Sequence, residues 1–283
     1  MGVIELGENR YGKRAIRLVK VVRDPGGHQV RDLTVDIALE GDFAAAHTAG
    51  DNASVVATDT MKNTVYALAA ERLTGAIEAF GTILGTHFAA FPQVRRAIVD
   101  VREHRWKPLA GADGSGSGAF RRVGDATRTA RVSATPDGTV VESGLEDLVV
   151  MKTAGSAFSG FARDRNTTLP EMRDRIMATN VTVWWRHRDL PADWDASHAA
   201  IATTLLESFA DHASESVQHS IWVMAQAMLE DHAGIDEVRM TLPNLHHLPV
   251  DLVPFGGTNR DEIFVATTQP HGLIEATVRR TAS

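Results

Sequence analysis

Leu33-Thr34-Val35-Asp36-Ile37-Ala38-Leu39-Glu40 alternates large apolar residues with smaller or charged ones, without a break. Successive side chains on an extended chain point to opposite faces, so this run predicts a strand with one buried and one wet face. The preceding run, Arg14 to Arg23, is also rich in strand formers, and Asp24-Pro25-Gly26-Gly27 supplies the turn between them. The two read as an antiparallel hairpin. Downstream the apolar period changes. Val65, Leu68, Ala69, Leu73, Ile77, Phe80 and Leu84 recur at three- and four-residue spacing, which predicts a helical region from about Met61 to Phe91, ended by Pro92. Thr74-Gly75 offers a breaking point, so two helices or one continuous helix both fit. Strands are predicted near Ala97–His104 and Ala119–Ser133, separated by a Gly/Ser-rich insert, Gly111 to Gly118.

After Thr135-Pro136-Asp137-Gly138 the order repeats. Strands are predicted at Thr139–Lys152 and Asn180–His187, and helices at about Ala196–His212 and Glu215–His232. Strands return at Glu237–Leu242, Ile263–Thr267 and Leu273–Arg279. The repeat is one of pattern, with little residue identity between the halves. It predicts an α+β fold of two tandem domains, 1–136 and 137–283, each with helices grouped on one face of an antiparallel sheet. Such sheets keep an exposed face and open edges, and closing those edges against other copies into a barrel predicts an oligomer.

Composition narrows the function classes. A chain of 283 residues with 43% apolar content can bury a substantial core. Net charge is −7, from 29 basic and 36 acidic residues with no basic block, which argues against nucleic-acid and membrane-surface partners. Cysteine is absent, which excludes disulfides, thiolate catalysis and thiolate metal sites. No segment reads as membrane-spanning, Met1 to Arg14 lacks the apolar core of a secretion signal, and the end is not of Ser-Lys-Leu form. A cytoplasmic protein is the expectation.

Candidate chemistry starts at Gly50 to Leu68. Here an apolar stretch, Ala53 to Ala57, reads as a short strand running into Thr58-Asp59-Thr60 at a helix start. Read locally, these residues cap the helix. If the first-turn N–H groups stay open, they offer a seat to an anion or an electron-rich planar ligand. Lys13, in Tyr11-Gly12-Lys13, is either a solvated charge or, if buried, a base. The connection Phe158 to Arg175 is rich in Arg, Asp and Thr and suits a binding loop as well as a solvated one. Gln218 sits near the start of the last helix. His246 and His247 are adjacent, so on a strand they face opposite ways, which argues against a shared metal ion. No Walker loop, dinucleotide fingerprint or His-Glu-x-x-His appears.

Taken together these segments resemble the urate oxidase (uricase) family, from Tyr11 to Arg279. The resemblance rests on Tyr11-Gly12-Lys13, Val56-Ala57-Thr58-Asp59-Thr60-Met61-Lys62-Asn63-Thr64, Phe158-Ser159-Gly160-Phe161 with Arg163-Asp164, Thr167-Thr168-Leu169 and Asp174-Arg175-Ile176. It continues in Ser216-Val217-Gln218, Leu242-Pro243-Asn244-Leu245-His246 and Pro270-His271-Gly272-Leu273-Ile274. Each is weak alone; their joint order and spacing are specific. Met1 to Arg10, the Gly111–Gly118 insert and the Asp251–Arg260 connection have no match in that pattern.

The resemblance implies two tunnelling-fold (T-fold) domains per chain in a homotetramer. It implies oxidation of urate by molecular oxygen and water to 5-hydroxyisourate and hydrogen peroxide, without metal or organic cofactor. Lys13 and Thr58 match the base dyad and His246 the histidine completing its proton relay. Arg175 and Gln218 match the residues gripping two edges of the purine, Phe158 the stacked ring, and Asn244 the amide holding oxygen or water. Asp59 and Val217 match residues whose backbone meets the purine. The family draws Lys and Thr from one subunit and the rest from its neighbour. Other readings are a T-fold enzyme on a pterin or another purine, which commonly needs zinc and clustered His or Cys, and a purine-binding scaffold without catalysis.

Overall fold

The computed structural model describes residues 3–24, 27–111 and 116–281. The predicted Pro25-Gly26 turn and positions 112–115 of the insert lie outside the described residues. The chain forms two compact units, Met1–Gly144 and Leu145–Ser283, dividing within a strand rather than at the turn before it.

In the first unit, β1 (Tyr11–Asp24) and β2 (Gly27–Gly41) form the predicted antiparallel hairpin. β3 (Val94–Glu103) pairs with β2, and β6 (Thr127–Thr135) with β3, all antiparallel. Leu33, Val35, Ile37 and Leu39 are buried while their alternate neighbours are wetter, as the opening pattern requires. Each such side chain contributes roughly 1.5–3 kcal/mol of burial. After α1 (Ala44–Thr48), the helical region does divide at Thr74-Gly75, into α2 (Thr58–Arg72) and α3 (Ile77–Ala89). Lys20 on β1 donates to the carbonyls of Ala69, Ala70 and Leu73 at 3.0, 3.0 and 3.1 Å, satisfying the open end of α2. Against β3 and β6, α3 uses Gly81 and Gly85: a Cβ at Gly85 would lie 3.1 Å from the Ala134 methyl and 3.3 Å from Val132. Glu78 of α3, fully buried, accepts from Arg128 of β6 at 2.8 Å and from Ser143 at 2.8 Å.

Three local expectations are corrected. Ala53–Ala57 is a turn and extended chain, not a strand, because side chains rather than a neighbouring strand satisfy it. The Tyr11 hydroxyl accepts from Val56 N–H at 2.8 Å and donates to its carbonyl at 3.2 Å, and Gln93 donates to Ser54 O at 2.8 Å. The single strand Ala119–Ser133 is two, β5 (Gly116–Arg122) and β6, parted at Gly124-Asp125. β5 takes up the end of the insert and pairs with β4 (Trp106–Ala110), which has no buried face to announce it.

The long strand β7 (Gly138–Lys152) crosses the division. In the second unit β8 (Met177–His187) pairs with β9 (Ile235–Pro249), which pairs in turn with β10 (Phe264–Thr267) and β11 (Leu273–Arg279), all antiparallel. α5 (Val217–Asp231) packs on β9 and β11 and lies beside α4 (Trp194–Asp211). Asp193 caps α4 through the N–H groups of Asp195 and Ala196. Both units thus carry helices on antiparallel sheet. No helix among the described residues is long and apolar enough to cross a membrane.

Candidate active site

The first unit places Lys13 near the start of β1, opposite Ile37. Gly12 permits this approach, since a Cβ there would sit 1.8 Å from the Ile37 carbonyl oxygen. Directly after Lys13 the pairing bulges, up to Ile16. Ala15 holds a left-handed φ of 57°, and its N–H donates to Asp36 Oδ1 at 2.5 Å. Asp36 in turn pairs with Arg102 at 3.3 Å. A bulge re-aims neighbouring side chains, and here the neighbour is the candidate base.

Thr58 is the first residue of α2. The cap position is Ala57, and among the described residues no side-chain hydrogen bond caps this N-terminus. The local capping reading therefore fails, and the first-turn N–H groups retain their capacity for an electron-rich ligand. Asp59 turns its carboxylate to Lys62 and to Asn63, the latter at 3.0 Å. Its pKa is held below the ordinary carboxylate value, first by the Lys62 hydrogen bond, with Lys13 adding a smaller attraction. Among the described residues no hydrogen bond joins Lys13 to Thr58.

The second unit assembles more of the candidate set. The Phe158–Arg175 connection folds back on itself. Phe158 and Met172 exchange backbone hydrogen bonds of 2.7 and 2.9 Å, Arg175 N–H donates to Ser156 O at 2.8 Å, and Asp174 accepts from Gly155 N–H at 2.8 Å. This closure sets the Arg175 guanidinium 5.4 Å from the Phe158 ring centre. Arg175 Nε is buried and has no acceptor among the described residues. Burial also pulls the guanidinium below its ordinary pKa, though arginine stays charged at neutral pH. Phe161, which the sequence motif includes without a role, stacks on Phe158 at 4.9 Å and 12°. Its Phe-x-x-Phe spacing was visible, but nothing in one sequence says that two loop aromatics meet.

Ser216 caps α5 by accepting from His219 N–H at 3.1 Å. Val217 is then buried and Gln218 exposed at the helix start. On β9, Asn244 and His246 share a face, and Asn244 Nδ2 lies 3.4 Å from His246 Nδ1. His247 instead lies 3.0 Å from the Leu245 carbonyl, in keeping with adjacent histidines facing apart. Asn244 N–H donates to Gly272 O at 2.8 Å, which ties the Pro270–Ile274 motif to the same strand. The structure thus brings Phe158 to Arg175 and Asn244 to His246, and sets Lys13 and Thr58 in the other unit.

A ring beside a guanidinium whose Nε is buried and unsatisfied suits a planar, electron-rich ligand. Comparison with known proteins agrees. The family model described as Uricase matches residues 9–133 and 141–275. The uricase of Arthrobacter globiformis is 44% identical over 281 residues, covering 99% of this chain and 91% of the relative. That of Dictyostelium discoideum is 34% identical, covering 98% of each. The crystal structure of the Arthrobacter globiformis uricase superposes with a TM-score of 0.92 at 43% identity, covering 100% of this chain and 97% of that one. The chain belongs to the uricase family.

Proposed function

We propose that the chain oxidises urate with O2 and water to 5-hydroxyisourate and hydrogen peroxide, without metal or organic cofactor. Urate gives up two electrons and two protons to O2, forming peroxide, and water adds at the purine carbon left electron-poor. An electron-rich purine needs little beyond deprotonation, stacking and orientation for this, all within reach of ordinary side chains. Lys13 activates the Thr58 hydroxyl to take a substrate proton, and His246 completes the relay. Arg175 and Gln218 grip two edges of the ring, Phe158 stacks on it, and the backbones of Asp59 and Val217 meet it. Asn244 holds oxygen or water above its plane. Each unit is one tunnelling-fold domain, and the chain works as a homotetramer whose sites draw Lys13 and Thr58 from one subunit and the remainder from its neighbour.

The observation that carries this reading is Arg175 Nε, a buried donor beside a phenyl ring with no acceptor among the described residues. Such a donor costs about 1–3 kcal/mol unless a ligand answers it. An anionic purine supplies both the acceptor and the flat face. Arg175→Ala is expected to weaken urate binding by about 2–4 kcal/mol, read by titration with oxygen excluded. Equal affinity in variant and parent removes Arg175 from the site.

A further inference from the structure

Behind the Phe158 segment lies a hydrogen-bonded chain that the reaction as described does not use. His212, just after α4, sits with Nδ1 2.6 Å from the Ser208 carbonyl. A carbonyl only accepts, so Nδ1 carries a proton and Nε2 of the neutral ring is the acceptor. Ser220 Oγ, on α5, lies 2.9 Å from Nε2 and donates to it. Since Ser220 gives its one proton to His212, the Ser214 hydroxyl is the donor to Ser220 Oγ at 2.8 Å, and it shares that proton with the carbonyl of Ser216, the cap of α5, at 3.0 Å. The main chain of Ser214 faces the other way. Its N–H donates to Gly155 O at 2.8 Å, and its carbonyl accepts from Ala157 N–H at 2.7 Å. Arg175 N–H is anchored on Ser156, between those two contacts.

A serine beside a histidine invites a nucleophilic reading. Here it fails, because Ser220 and Ser214 are 0% and 2% exposed and no substrate reaches them. The chain does something else. Through its side chain Ser214 holds α5, which presents Val217 and Gln218; through its backbone it holds the segment leading to Phe158 and Arg175. We propose that His212, Ser220 and Ser214 are positioning residues that lock these two purine-gripping elements together and so set the affinity of the site. This deepens the urate-binding reading and rests on it. The low pKa of His212, caused first by burial, keeps the ring neutral near pH 7 and the donor direction fixed.

The test is urate affinity measured with oxygen excluded, alongside turnover in air, for Ser220→Ala, His212→Asn and Ser214→Ala with Ser220→Ala combined. The first two are expected to raise the urate Kd about tenfold with kcat within about threefold, the scale of one buried hydrogen bond. The double variant is expected to lose no more than Ser220→Ala alone, since one chain is broken either way. An unchanged Kd in both single variants overturns the proposal, whatever happens to thermal stability. His212→Asn alters a half-buried side chain, so it serves if the serine variants fail to fold. Arg175→Ala separates the two claims: if it leaves binding intact, the urate site is misplaced; if it weakens binding while Ser220→Ala and His212→Asn do not, the positioning role of His212, Ser220 and Ser214 alone is wrong.

Discussion

Lys13 stands at the edge of a backbone kink that alanine does not readily adopt. The left-handed conformation of Ala15 costs about 1–2 kcal/mol, and the bond from its N–H to Asp36 offsets that cost. The strand therefore keeps a distortion beside the residue proposed as the base. Lys13→Met is expected to lower kcat by about 100- to 10,000-fold while leaving anaerobic urate affinity nearly intact, because a base acts on the proton and not on binding. Steady-state rates beside a binding titration check this; an unchanged kcat removes Lys13 from the chemistry. A different residue links stability to acid pH. Burial pushes His187, edge-on to Trp194, down to about pKa 4. Its folded-state pKa lies below the unfolded value near 6.5, so the unfolded chain binds more protons between those values. The contribution of His187 to stability is full above about pH 6.5 and falls by about 3 kcal/mol as pH drops toward 4. His187→Phe is expected to flatten the slope of melting temperature against pH in that window, and a slope as steep as the parent's contradicts the assignment. The local residue types at the candidate site were legible: Thr58, Phe158, Arg175 and His246 all stand in recognisable motifs. What single positions do not reveal is mutual placement. Phe161 on Phe158, and Ser214 between two elements, depend on contacts far apart in the chain.

At the scale of elements, periodicity was readable wherever one face is buried. Leu273–Arg279 agrees with β11 end to end, and the break at Thr74-Gly75 separates α2 from α3. β4 escaped notice because its five residues are all exposed and include Pro108, leaving no alternation to see. β9 runs past the predicted end at Leu242 because it keeps partners on both sides of Pro243, pairing Thr179 with Asn244 and Thr182 with Thr241 around it. That continuation is what puts Asn244 and His246 on a strand rather than in a loop. The seat of α3 on its sheet depends on small residues, with Gly85 already within close reach of Ala134 and Val132. Gly85→Leu is expected to cost about 1–3 kcal/mol, since α3 must move off β3 and β6 to admit the side chain. Denaturant unfolding measures this, and a variant as stable as the parent shows that the helix is not held so closely.

The whole molecule divides the proposed chemistry between its units, with Lys13 and Thr58 in the first and Arg175, Phe158, Gln218, Asn244 and His246 in the second. If each site combines residues of two subunits, inactive Lys13→Met and Arg175→Ala chains are expected to regain activity when co-expressed. Mixed assemblies then contain sites carrying neither change, while a mixture as inactive as its parts argues for sites built within one chain. The tandem α+β layout was legible because the strand and helix order repeats. Beneath all of this lies the claim that binding and deprotonation by ordinary side chains suffice for oxygen to react with urate. Oxygen uptake and peroxide release by the chelator-treated protein, mixed with urate, test it most directly. The account predicts undiminished turnover, with O2 consumed and peroxide formed in step with the urate lost. Oxygen uptake that vanishes on chelation and returns with added metal, or urate bound without any uptake, would contradict it.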